Sequence, residues 1–104
     1  MFIRSSQARV LADEAFANRL AASLRRQFAL QTARLSEVEL KRSVRAAIIR
    51  ARSYGLTWES SIAVFAALGV VAGAGFEQDP VVRSILTDKG FSEQERVALL
   101  IERF

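Results

Sequence analysis

Apolar residues recur along most of this chain at helical spacing. Phe16, Leu20, Leu24 and Phe28 follow every fourth residue, with Val10, Ala17 and Ala21 on the same side. One amphipathic helix over 7–30 is the reading, opened by Ser5 or Ser6. Arg19 and Arg26 project away from its stripe, and Asp13 falls near it. A second stripe, Leu40, Val44, Ala47, Ile48 and Ala51, predicts a helix over 37–54. Ser36-Glu37-Val38-Glu39 has the form of a capping box, with Leu35 and Leu40 spaced as a hydrophobic staple. Gly55 is the expected stop, where a left-handed backbone favours glycine. The third segment, 58–72, has Thr57 as its expected N-cap and is apolar on all sides from Ile62 onward. A helix with no polar face is a buried one, so this segment is expected at the centre, ended by Gly73 and Gly75. Asp79-Pro80 opens a fourth helix over 80–88, with Val81, Val82, Ile85 and Leu86 inward and Gly90 closing it. Ser92-Glu93-Gln94-Glu95 is a second capping box and starts a fifth helix over 93–103, with Val97, Leu100, Ile101 and Phe104 on its apolar side. No segment alternates with period two. The pattern predicts an all-α fold: one domain over 1–104, a compact bundle of about five helices around segment three.

Composition narrows the chemistry. The 104 residues include no Cys and no His, which removes disulfides, Cys/His zinc sites, thiol nucleophiles and histidine-based dyads. The remaining acid–base groups are carboxylates, Lys and Tyr. Glu77 and Asp79 lie together before segment four and Glu59 opens segment three, but acids in first turns are explained by capping and the helix dipole. Gly73-Ala74-Gly75 follows a helix rather than a strand and lacks a following Gly-Lys-Ser/Thr, so it is no phosphate loop. No enzyme, cofactor or metal is expected. The apolar run Ile62–Phe76 is fifteen residues, short of the roughly 20 a membrane span needs. Its Gly69/Gly73 spacing therefore reads as core rather than lipid contact. The N-terminus lacks the apolar region of a signal peptide.

Charge is uneven. Residues 1–55 carry eleven Lys/Arg against four Asp/Glu; residues 56–104 carry four against seven. A basic half suits an anionic partner. On segment two, Lys41, Arg45 and Arg52 share one sector at 100° per residue, with Arg42 nearby. Val38 and Ile49 project into the same sector, away from the core stripe. Apolar residues flanked by Arg suit a protein partner, because Arg pairs bidentately with carboxylates and the apolar pair supplies burial. The other readings are packing of Val38 and Ile49 under segment one, pairing in a homodimer, or binding to a nucleic-acid backbone or a membrane surface. Segments two and three also have the outline of a helix-turn-helix. Trp58-Glu59-Ser60-Ser61 followed by an apolar run has nothing to read a base edge with, so that reading is rejected.

Several landmarks occur in a set order: Gln7, Phe16-Ala17-Asn18-Arg19-Leu20, Tyr54-Gly55, Phe65, Gly73-Ala74-Gly75-Phe76-Glu77-Gln78-Asp79-Pro80, Ile85-Leu86 and Arg96. This series resembles a family of small helical accessory proteins encoded in bacterial type VI secretion loci beside spike and toxin genes. It departs from that family at Val81-Val82-Arg83, where a Leu-Pro-Trp-like step is usual, and in a central helix richer in Ala and Gly. The resemblance implies a non-enzymatic cytoplasmic protein of bacteria: an adaptor, chaperone or neutralising partner of a secreted toxin or spike component. It brings no catalytic residues with it. The alternatives from other classes are a basic helical protein that binds nucleic-acid backbone and a self-associating structural protein.

Overall fold

The computed structural model describes residues 5–73 and 75–104, with side chains from residue 13 onward apart from residue 74. The side chains of Ser5, Ser6, Gln7 and Val10, which entered the reading above, lie outside the described residues. The elements are α1 (Ser5–Gln27), α2 (Ala29–Thr32), α3 (Glu37–Ser53), α4 (Glu59–Ala72), a 3₁₀ turn (Phe76–Gln78), α5 (Pro80–Thr87) and α6 (Glu93–Arg103). Among the described residues there is no strand, and the fold is an all-α single domain.

The periodic stripes become the core. Phe16, Ala17, Leu20, Ala21 and Leu24 are buried on α1, and all five residues of the second stripe are buried on α3. Ile62 and Phe65 of α4, Val82 and Leu86 of α5 and Leu100 of α6 complete it. An aromatic row threads this core. Tyr54 lies 6.0 Å from Phe65, Phe65 lies 5.0 Å from Phe76 edge-on, and Phe76 lies 6.1 Å from Phe104. Such tilted and edge-to-face pairs are favourable beyond their burial.

Helix α4 touches α1, α2, α3, α6 and the 3₁₀ turn. Its neighbours nevertheless leave part of it open. Ala63, Val64, Ala67 and Val70 are half-buried and Val71 is 52% exposed. The expectation of burial on every side is corrected to burial on one side and an apolar outer face.

The expected single helix over 7–30 is broken. Phe28 leaves helical geometry at φ −126° and ψ 52°, and α2 is a separate single turn. The side chain of Arg25 explains where the backbone polar groups go. Its guanidinium donates to the Thr32 carbonyl and, at 2.8 Å, to the Leu35 carbonyl. The buried Thr32 hydroxyl donates to the Phe28 carbonyl at 2.9 Å. Phe28 keeps its four-residue spacing and packs on the core, so the stripe continues through the break.

Helix ends follow the caps read from sequence at three of the four starts whose side chains are described, and at the Gly55 and Gly73 stops. Ser36/Glu39 and Ser92/Glu95 form complete capping boxes. Asp79 accepts from the amides of Val81 and Val82, with Pro80 at the first helical position. Gly55 sits at φ +87°, where a side chain is strained. The start of α4 differs from expectation. Thr57 does not cap it; Trp58 is the N-cap residue and makes no side-chain cap. Glu93 of α6 caps it instead, accepting from Thr57 N at 2.9 Å, Thr57 Oγ1 at 2.8 Å and Trp58 N at 2.8 Å. Gly90 does not close α5 with a left-handed turn either. The Asp88 carboxylate accepts from Gly90 N at 2.8 Å and forms the turn there.

Arg96 performs the matching task at two C-termini. Its Nη1 donates to the Tyr54 carbonyl at the end of α3 (2.6 Å) and to the Leu86 carbonyl near the end of α5 (3.0 Å). A cation there complements both helix dipoles. Arg96→Met is expected to lower unfolding free energy by about 2–4 kcal/mol, since two charge-assisted bonds to carbonyls are lost together. Urea unfolding followed by circular dichroism measures it.

Glu93 also sets an acid limit on stability. Partial burial pushes its carboxyl up, but the hydrogen bonds from Trp58 N, Thr57 N and the Ser61 and Thr57 hydroxyls outweigh this and hold it below its ordinary value. A carboxyl depressed on folding stabilises the fold above its unfolded pKa of about 4.3, and that contribution is lost as pH falls through the lower folded value. The unfolding midpoint is therefore expected to hold steady from neutrality to about pH 5 and to drop below about pH 4. Glu93→Gln should be less stable at neutral pH and show a shallower acid-induced drop.

Candidate functional site

The six residues singled out on segment two do not form one free surface. Helices α1 and α3 lie against one another, and α1 claims two of the six. Arg45 is paired with Glu14. Arg52 is paired with Asp13 at 2.6 Å, partly buried. This also accounts for Asp13 beside the α1 stripe. Lys41 is half-buried and borders a recess of about 310 Å³ between α1 and α3, with Arg25, Arg26 and Glu37.

The other three remain outward. Val38 is 66% exposed and Ile49 is 69% exposed. Arg42 is exposed and forms no ion pair among the described residues, although its charge reaches Glu39 three residues earlier. The alternative that Val38 and Ile49 pack under segment one is thus overturned: α1 meets α3 through the paired charges and the core stripe, leaving this ridge in solvent.

What sequence reasoning missed lies beside the ridge. An open groove of about 410 Å³ runs between α3, the α1–α2 corner and α4. Its floor is apolar, from Leu24, Leu35, Leu40 and Val44 to Ala66 and Val70. Arg34 and Arg50 stand at its polar edge with Gln31 and Ser43, and no acidic side chain lines it. Arg50 is held by the buried Glu77 at 3.0 Å. Arg34 is exposed and has no acidic partner among the described residues. Leu30, 90% exposed on α2, stands at the same corner. The available signal was Arg34 beside Leu30 and Leu35 in the link after segment one, a polar–apolar mixture hidden by reading 7–30 as unbroken helix.

The carboxylates weighed as possible chemistry each have their own partner. Glu59 pairs with Arg19 at 3.1 Å, Glu77 with Arg50, and Asp79 with Arg103 at 3.0 Å while capping α5. The hydrogen bond from Arg103, with those from the Val81 and Val82 amides, holds the Asp79 carboxyl below its ordinary value. No group of His, Cys, Asp and Glu suited to a metal ion occurs among the described residues. None of their helices is long and apolar enough to cross a membrane.

The geometry thus separates structural from free residues within the one stripe. Arg52→Ala is expected to cost about 1–2 kcal/mol, because it leaves Asp13 partly buried without its partner. Arg42→Ala and Ile49→Asp should each change stability by less than about 0.5 kcal/mol. Denaturant midpoints of the three variants check this.

No family model matches the chain, and neither a curated protein nor a solved structure matches it.

Proposed function

We propose that this protein is a non-enzymatic accessory protein that binds another protein through the α3 ridge and the groove beside it. One observation carries the reading: a groove with an apolar floor, no acidic lining and the unpaired Arg34 at its edge opens along the same helix, α3, that carries exposed Val38, Arg42 and Ile49. Concave apolar surface edged by arginine is the chemistry of a protein interface. A nucleic-acid backbone suits it less. Phosphate calls for cations alone, whereas Glu37 and Glu39 stand on the first turn of α3 and the groove floor offers phosphate nothing.

The finer reading is an adaptor, chaperone or neutralising partner of a secreted toxin or type VI spike component, acting in the bacterial cytoplasm. It rests on the residue series from Gln7 to Arg96, in which Gly73–Pro80 is the longest stretch. The fold gives those residues work of their own: Gly73 adopts φ +98°, Phe76 is core, and Asp79 and Pro80 start α5. The series therefore supports the partner's identity less than the groove supports binding.

The test is affinity purification of the tagged chain from its native host at low and high salt, beside the Val38→Asp/Arg42→Glu variant. A stoichiometric protein that survives high salt and is lost from the variant is the expected result. A nucleic-acid-associated set that washes away with salt overturns the reading in favour of backbone binding, and retention of the partner by the variant removes the ridge from it.

A further inference from the structure

We propose that the groove between α3, the α1–α2 corner and α4 seats an amphipathic helix of the partner whose apolar residues are flanked by Asp or Glu. This rests on the protein-binding reading above and names the kind of segment bound.

Three features select that occupant. The first is charge. The groove lining contains two arginines and no acid, and Arg34 is left without an acidic partner among the described residues. Arg42 lies four residues before Ala46, a lining residue, so it stands one helical turn from the groove. An acid-flanked segment satisfies Arg34 and Arg42 together; a basic one meets repulsion.

The second is shape. The lining on α3 runs from Leu40 to Arg50, about 15 Å along the axis at helical rise. That length matches about three turns of a docked helix, with anchors at i, i+4 and i+7. Ala46, Ala47, Ala66 and Gly69 line the walls, and small side chains let a helix backbone approach.

The third is what the groove withholds. An extended peptide docks by adding to a sheet edge, and the described residues contain no strand. A proline-rich segment docks on aromatic rings, and no aromatic residue lines the groove. A bilayer, being a broad surface, does not fill a recess. The helix mode is the one that this lining serves. It also supplies α4 with apolar cover at Gly69 and Val70, which its own neighbours leave half-buried.

The probe is a synthetic helical peptide with Leu at i, i+4 and i+7 and Glu at the flanking positions, titrated into the full chain and followed by amide NMR shifts. Two controls accompany it: the same peptide with every Glu replaced by Lys, and a short random-sequence DNA duplex. The expected result is shifts concentrated at Ala46, Ala47, Gly69 and Val70. The Glu peptide should bind at least about tenfold tighter than the Lys peptide, the scale of a charge-complementary contact. Ala46→Trp, which fills the groove from a half-exposed position, should weaken binding by about tenfold or more. Arg34→Glu is a second variant that keeps the fold, because Arg34 is exposed and forms no ion pair among the described residues; it reverses the charge of a lining residue and should weaken binding of the Glu peptide as well. Equal binding of the two peptides, shifts outside the groove, no binding, or DNA displacing the peptide overturns the proposal. If a natural partner is captured through the α3 ridge but Ala46→Trp leaves its binding intact, the groove proposal fails while the accessory-protein reading stands.

Discussion

Seventeen consecutive residues, Ser60 to Phe76, carry no ionisable side chain. They include nearly all of α4, and they impose a demand that the rest of the chain is arranged to meet. A helix without a polar face gains nothing from facing water on any side. Helices α1, α2, α3 and α6 and the 3₁₀ turn all touch it, and Ile62 and Phe65 are sealed from solvent. Cover is nonetheless incomplete, at Val71 on the outside and at Gly69 and Val70 along the groove. The candidate binding surface is where that shell is unfinished.

The arginines are the second organising element, and they divide by task. Arg25 and Arg96 donate to backbone carbonyls at and just beyond helix ends. Arg19, Arg45, Arg50, Arg52 and Arg103 tie separate elements together through carboxylates. The exposed pairs among these contribute little stability. They neutralise four of the cations that the sequence concentrates in its first half, Arg19, Arg45, Arg50 and Arg52. Arg26, Arg34, Lys41, Arg42, Arg83 and Lys89 form no ion pair among the described residues, and of these Arg34 lines the groove.

Local signals were legible because they act over three or four residues. Both capping boxes, the Asp79-Pro80 start and the Gly55 stop could be read directly, since each needs only its own turn of backbone. The core stripes were legible for the same reason. The Glu93 cap on α4 was not, because its partners lie 35 and 36 residues away and no periodicity links them. Arg52 with Asp13 is a similar case: both residues were noticed, one as candidate binding charge and the other as a misplaced acid, and only the packing of α1 on α3 makes them one pair. The break at Phe28 was concealed by its own hydrophobicity, which continued the stripe across it. Of the proposed ridge, Val38, Arg42 and Ile49 were correctly placed outward by helical phase. The groove was invisible, because it is made by three elements meeting and belongs to none of them.

The clasp made by α6 has a consequence for how the molecule comes into being. Glu93 holds the start of α4 and Arg96 holds the ends of α3 and α5, yet both belong to the helix that leaves the ribosome after the others. Until they arrive, the helices made earlier have frayed ends, and α4 has an open apolar flank that other nascent chains can find. The order of synthesis thus runs against the order of dependence. Those helix ends gain their partners only once α6 is free to pack.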